Sequence, residues 1–173
     1  MNVELVVSVT SAIVALFALF LSLFEGRQSR RHARLSVRPV LDFKIHVTNK
    51  TGRFDVSVSN NGFGPAVVRS WTLLVDGKPY RELGITDWME LTAHFGWDKL
   101  MAQGERVSYS YFEKGDVLAM QQQEELVGFP CPTYSTAAAD AFRSGVRRLK
   151  VLICYESLYH ERFTAVFDGA TYF

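Results

Sequence analysis

The chain has 173 residues, with 19 Lys and Arg set against 18 Asp and Glu and a formal net charge of +1. That balance argues against nucleic acid as a main partner, and two cysteines are too few for a disulfide framework. The length suits one domain of ordinary size with a short additional segment.

Leu5 to Phe24 is an uncharged run, and Arg27, Arg30, Arg31 and Arg34 follow it directly. At about 1.5 Å per residue, such a helix spans the roughly 30 Å hydrocarbon core of a bilayer. No basic residue precedes the run, and Leu23-Phe24-Glu25-Gly26 is a poor cleavage site, so the segment reads as an anchor rather than a cleaved signal. The arginines, with Arg38, predict a single-pass protein of the cell (inner) membrane, its N-terminus outside and residues after Gly26 cytoplasmic. Arg27, Arg30, Arg31 and Arg34 are spaced i, i+3, i+4 and i+7, so a continuing helix gathers them on one face suited to anionic head groups. The plainer alternative is an ordinary stop-transfer flank.

Within the anchor, Ser8, Ser11, Ala12, Ala15, Ala18 and Ser22 form a stripe of small residues. Such a stripe lets two helix backbones approach closely, which gives a homo-oligomer contact through the transmembrane helix. The expected organisation is residues 1–38 for the anchor (about 5–24) with its basic helical extension, and 39–173 for a soluble domain. That domain carries 14 Lys/Arg and 16 Asp/Glu, so the positive charge is concentrated at the membrane junction.

Pro39 is expected to end the helix. Leu41, Phe43, Ile45 and Val47 then alternate with Asp42, Lys44, His46 and Thr48, and after the turn Asn49-Lys50-Thr51-Gly52 the alternation resumes at Phe54, Val56 and Val58. These make an antiparallel hairpin. A third strand covers about 67–75. Val107, Tyr109 and Tyr111 mark a later strand, and 149–155 and 163–167 mark a final pair. Short strands with tight turns read as a β-sandwich. Helical insertions are expected at about 86–101, 116–127 and 135–144, the last stopped by Gly145.

The segment Asn60-Asn61-Gly62-Phe63-Gly64-Pro65-Ala66 is expected to be a structural turn built on Asn60, Gly62, Gly64 and Pro65, with the glycines free to take positive φ. It resembles the Asn-x-Gly-x-x-x-Ala turn of bacterial Ig-like domains, of which the cell-adhesion-related (CARDB-like) modules are the best known. Helix, arginine cluster, Val-Arg-Pro strand start and Asn-Gly-x-Gly-Pro-Ala turn together are also similar to uncharacterised bacterial single-pass membrane proteins. The resemblance is best over the first 80 residues. It implies a mainly β fold with helical insertions, an N-terminal transmembrane helix followed by an Ig-like antiparallel β-sandwich. It carries no catalytic residue.

The residues themselves offer no catalytic, cofactor or metal motif. His32, His46, His94 and His160 lie far apart, and Cys131 and Cys154 have no metal-site spacing, so the thiols read as reduced and buried. His46 and His160 read as solvated. Trp71 reads as core. Trp88, Phe95 and Trp97 are a candidate surface for an unknown protein partner or for the membrane interface, while the simplest reading has them cap an open end of the sandwich. The functional expectation is a non-catalytic, membrane-tethered binding or scaffolding domain. The alternative is a membrane effector or accessory subunit of a larger bacterial, defence-type complex, with an enzyme of unknown class third.

Overall fold

The computed structural model describes residues 2–48, 52–80, 85–101, 106–132 and 134–173. The turn expected at Asn49-Lys50-Thr51 lies outside them. The chain divides into two compact units, Met1–Val37 and Arg38–Phe173.

The first unit is one helix, α1, over Val3–Leu35. Its 33 residues make it about 50 Å long, which exceeds the hydrocarbon thickness by the length of the arginine-bearing stretch. It is long and apolar enough to cross a membrane, and Ile13, Leu16, Phe17 and Phe20 are all exposed. α1 stops four residues before Pro39. Ser36 caps it, donating its backbone N–H to the His32 carbonyl at 2.9 Å. Ser36 can also bond the chain locally, which competes with continued helix; its hydroxyl donates to the Ala33 carbonyl at 2.9 Å.

The second unit holds two antiparallel sheets in a sandwich-like arrangement. β1 (Leu41–Thr48), β2 (Arg53–Asn60), β7 (Gln123–Pro130) and β5 (Ser108–Tyr109) form the first sheet, in the order β1-β2-β7-β5. β4 (Lys78–Tyr80), β3 (Ala66–Val75), β8 (Leu149–Glu156) and β9 (Arg162–Asp168) form the second in the order β4-β3-β8-β9, and β6 (Val117–Leu118) also pairs with β3. Leu41 and Phe43 of β1, Phe54, Val56 and Val58 of β2, Val151 and Ile153 of β8 and Phe167 of β9 share one core. The Phe43 and Phe167 rings meet across the sheets at 5.4 Å. On the opposite face of β2, Asp55, Ser57 and Ser59 are buried as well, because short side chains on a central strand sit between longer ones on β1 and β7. His46 contacts Asp55 at 2.9 Å, and Gln123 donates to the Ser57 hydroxyl at 3.0 Å.

Residues 116–127 are not a helix. They form β6, a turn at 119–122 and most of β7. The Gln-Gln-Gln-Glu-Glu composition favours helix only weakly, and pairing along the edge of β2 overrides it. Gln121 is held at φ 61°, outside helical geometry, while its N–H donates to the Asn60 carbonyl at 2.9 Å. A bulge opposite Val56/Ser57 lets Leu126 and Val127 both be buried.

α2 (Ile85–His94) ends at Gly96, whose φ of 70° is the left-handed conformation that glycine adopts at helix C-termini. A short 3-10 turn, Trp97–Lys99, follows in place of continued helix to Met101. α3 (Thr136–Val146) starts at Ser135, whose hydroxyl accepts from the Ala138 N–H at 3.1 Å. Gly145 lies inside α3 rather than ending it.

Candidate functional site

α1 carries the first group of candidate residues. The helix is unbroken through Leu35, so Arg27, Arg30, Arg31 and Arg34 do share a face, and all four are exposed. Of the stripe Ser8, Ser11, Ala12, Ala15, Ala18 and Ser22, every member is exposed along the helix. The Ser8 and Ser11 hydroxyls donate to the carbonyls of Glu4 and Val7, both at 2.8 Å. These two hydroxyls are thus satisfied inside the helix, which lowers the cost of placing them in hydrocarbon.

The Asn60 turn is built by one side chain. Asn60 is fully buried, and its amide donates to the carbonyls of Gly64 at 2.8 Å and Leu118 at 3.0 Å. Its side-chain oxygen accepts from the N–H groups of Gly62 at 3.0 Å and Val40 at 3.2 Å. The turn, the start of β1 and β6 are therefore tied to one amide. Gly62 serves a different purpose from the one expected. It does not adopt positive φ; a Cβ there would collide with the backbone of Arg38, Pro39 and Val40. Glycine is required by close approach of two chain segments.

Trp88 and Trp97 do not form the candidate partner or membrane surface; they are buried, in keeping with the simpler capping reading. Trp88 is 1% exposed and Trp97 0%, so neither can meet a partner or a bilayer. Trp97 packs against Phe142 of α3 at 4.9 Å and Phe129 of β7 at 5.7 Å, and Phe142 packs on Phe54 at 5.2 Å. Phe95 is half-buried and lies under the Arg148 guanidinium, 5.0 Å from ring centroid to charge. The α2 and α3 aromatics thus close the end of the sandwich where β2 begins, because burying large rings outweighs leaving them in water. Trp71, expected in the core, is half-buried and packs edge-on against Phe112.

The ion pairs serve the scaffold. Arg148 donates to Asp76 at 2.9 Å and meets His94 at 2.6 Å, and its guanidinium holds the Asp76 carboxyl below its usual value. Glu156, 5% exposed, takes hydrogen bonds from Arg69 and from His160, the latter at 3.0 Å. Arg69 first, then His160, pull the Glu156 pKa down to about 2. His160 and His46 each contact a carboxylate, while the His160 side chain stays 80% exposed, in keeping with its solvated reading. Cys131 is buried, but Cys154 is only half-buried, on the outer face of β8 beside Thr164 at 3.8 Å. No group of three His, Cys, Asp or Glu side chains gathers as a metal site among the described residues.

Arg69, Lys114, Arg162 and Thr164 carry no signal in the sequence that links them. They line one cavity of about 510 Å³ with Cys154 and Phe163. The β3-β8-β9 register gathers Arg69, Arg162 and Thr164, pairing Glu156 with Arg162 and Cys154 with Thr164, and Lys114 joins them from the turn before β6. Comparison with family models, curated proteins and solved structures finds no match to this chain.

Proposed function

We propose that this protein is a non-catalytic, membrane-tethered binding or scaffolding domain, with its N-terminus outside and its sandwich in the cytoplasm. The observation that carries this reading is the contrast between the two units. α1 leaves its large apolar side chains exposed, whereas the second unit buries its aromatics around a core of its own. A lone apolar helix needs lipid, and a self-sufficient domain does not. Five arginines after the apolar run, against none before it, support the cytoplasmic placement.

The Ig-like reading of the sandwich rests on strand order. β1, β2 and β7 share one sheet and β3, β8 and β9 the other, which is how strands A, B, E and C, F, G divide in an immunoglobulin sandwich. β5, β6 and the helices are then additions to that frame.

The test is a pull-down of the full chain from native membranes, run beside leakage assays on liposomes that contain it. Stable capture of a soluble partner without leakage supports the tether. Leakage without a partner supports the membrane-effector alternative and overturns it. A reporter active only in the cytoplasm, fused after Phe173, should work. Activity of an exported reporter at that site would reverse the orientation.

A further inference from the structure

The cavity formed by Arg69, Lys114, Arg162 and Thr164 is cationic, with no acidic side chain in its lining. Arg69 is paired with Glu156, but that carboxylate is 5% exposed and engaged on both sides by Arg69 and His160. Lys114 and Arg162 have no side-chain partner among the described residues, and both are exposed. Two uncompensated cations, one guanidinium fixed in place, the Thr164 hydroxyl and the Cys154 thiol thus face one space. Guanidinium forks, ammonium points and hydroxyl donors are the groups that bind phosphate oxygens.

The position of the cavity within the domain narrows the source of that phosphate. Arg38 begins the second unit, and its guanidinium sits 4.8 Å from the centroid of Phe163, a cavity residue. Only Ser36 and Val37 separate Arg38 from the last residue of α1. The same end of the sandwich exposes Phe63, at 76%, and Leu158, at 59%. Phe63 is placed there by its N–H, which donates to the Arg38 carbonyl at 3.1 Å, and Leu158 by the turn between β8 and β9. Basic side chains flanked by exposed apolar ones match an anionic bilayer surface.

We propose that this cavity binds the phosphate group of an anionic lipid, so that the sandwich docks on the membrane by its tethered end. The proposal rests on the membrane-anchored reading of α1, which resistance of the chain to alkaline extraction from membranes checks separately.

Cys154 provides the readout, since it lines the cavity while Cys131 is buried. Full-length protein is placed in nanodiscs of phosphatidylcholine alone, of phosphatidylcholine with phosphatidylglycerol, or of phosphatidylcholine with millimolar inorganic phosphate in solution. The rate at which neutral N-ethylmaleimide labels Cys154 is followed by mass spectrometry. The expected result is labelling slowed by about thirtyfold with phosphatidylglycerol only, as two uncompensated cations at about 1 kcal/mol each should produce at an anionic surface. The double variant Lys114→Gln, Arg162→Gln should lose that protection while labelling like the wild type in neutral discs. Equal labelling in all three discs overturns the site. Protection by inorganic phosphate in neutral discs overturns the lipid as its source. Protection that survives in the double variant overturns the cavity as its cause.

Discussion

Gly145 makes room for the Trp97 indole: a Cβ at position 145 would stand 2.6 Å from its Cζ2 and Nε1 atoms. The close approach seats a fully buried tryptophan between α3 and β7 and explains why a glycine stands inside a helix that would be more stable with alanine. Gly145→Ala should therefore destabilise the domain. Overpacking costs about 1–3 kcal/mol, against a propensity gain of about 0.5–1 kcal/mol. A thermal melt followed by circular dichroism checks this, and a raised melting temperature would mean that Trp97 moves aside freely.

Trp88 and Trp97 also share a defect. Both indole N–H groups are buried without an acceptor among the described residues. An unsatisfied buried donor costs about 1–3 kcal/mol. Trp97→Phe removes that penalty along with part of the ring, so the two effects should offset to within about 1 kcal/mol. Trp97→Ala removes the N–H too, but it also empties the whole ring site and should still cost about 3–5 kcal/mol. Comparable losses for the two variants, by chemical denaturation, would show that the N–H does have a partner.

These packing relations mark the boundary of what the sequence makes legible. Strict alternation over 41–47 and 54–58 gives the β1–β2 hairpin and its buried face, since the period of two is a local property. The apolar run gives α1 for the same reason. β7 is hidden because a glutamine-rich helix former is overridden by an edge it meets only in three dimensions. The role of Gly62 depends on the approach of Arg38–Val40, the fate of Trp97 on α3, and that of Trp88 on Tyr109 of β5. The cationic cavity joins residues 69, 114 and 162, which no window along the chain can connect.

Asn60→Ala should be among the most damaging single changes in the sandwich. It leaves the N–H groups of Gly62 and Val40 and the carbonyls of Gly64 and Leu118 without their side-chain partner. The expected loss is about 2–4 kcal/mol, several times that of a surface residue. Asn61→Ala, which removes an exposed bond to Asp42 and a part-buried one from the Ser59 hydroxyl, should cost less, about 1 kcal/mol. Equal melting temperatures for the two variants would show that the Asn60 amide does not hold the turn.

Glu156 makes stability depend on acid. Its folded pKa of about 2 lies below the ordinary value of 4.5, because Arg69 and His160 stabilise the carboxylate. A depressed carboxylate contributes fully above its unfolded pKa, and the contribution is lost as pH falls through the folded one. Between pH 4.5 and about 2 the wild type should therefore lose melting temperature more steeply than Glu156→Gln. Parallel curves for the two proteins over that window would show that Glu156 is not held by its partners.

The stripe Ser8, Ser11, Ala12, Ala15, Ala18 and Ser22 can be tested without disturbing the sandwich, which belongs to the other unit. Its serine hydroxyls at positions 8 and 11 bond the helix's own backbone, so they add little bulk and leave the groove shallow. In lipid, two helices associate through close packing rather than through a hydrophobic drive. Ala15→Ile fills the middle of the stripe with a branched side chain and should weaken association in a transmembrane reporter. Leu16→Ile keeps side-chain volume off the stripe and should leave the signal near that of the wild type. Equal signals from all three, at matched expression, would make α1 a plain anchor and assign any self-association to the domain that follows.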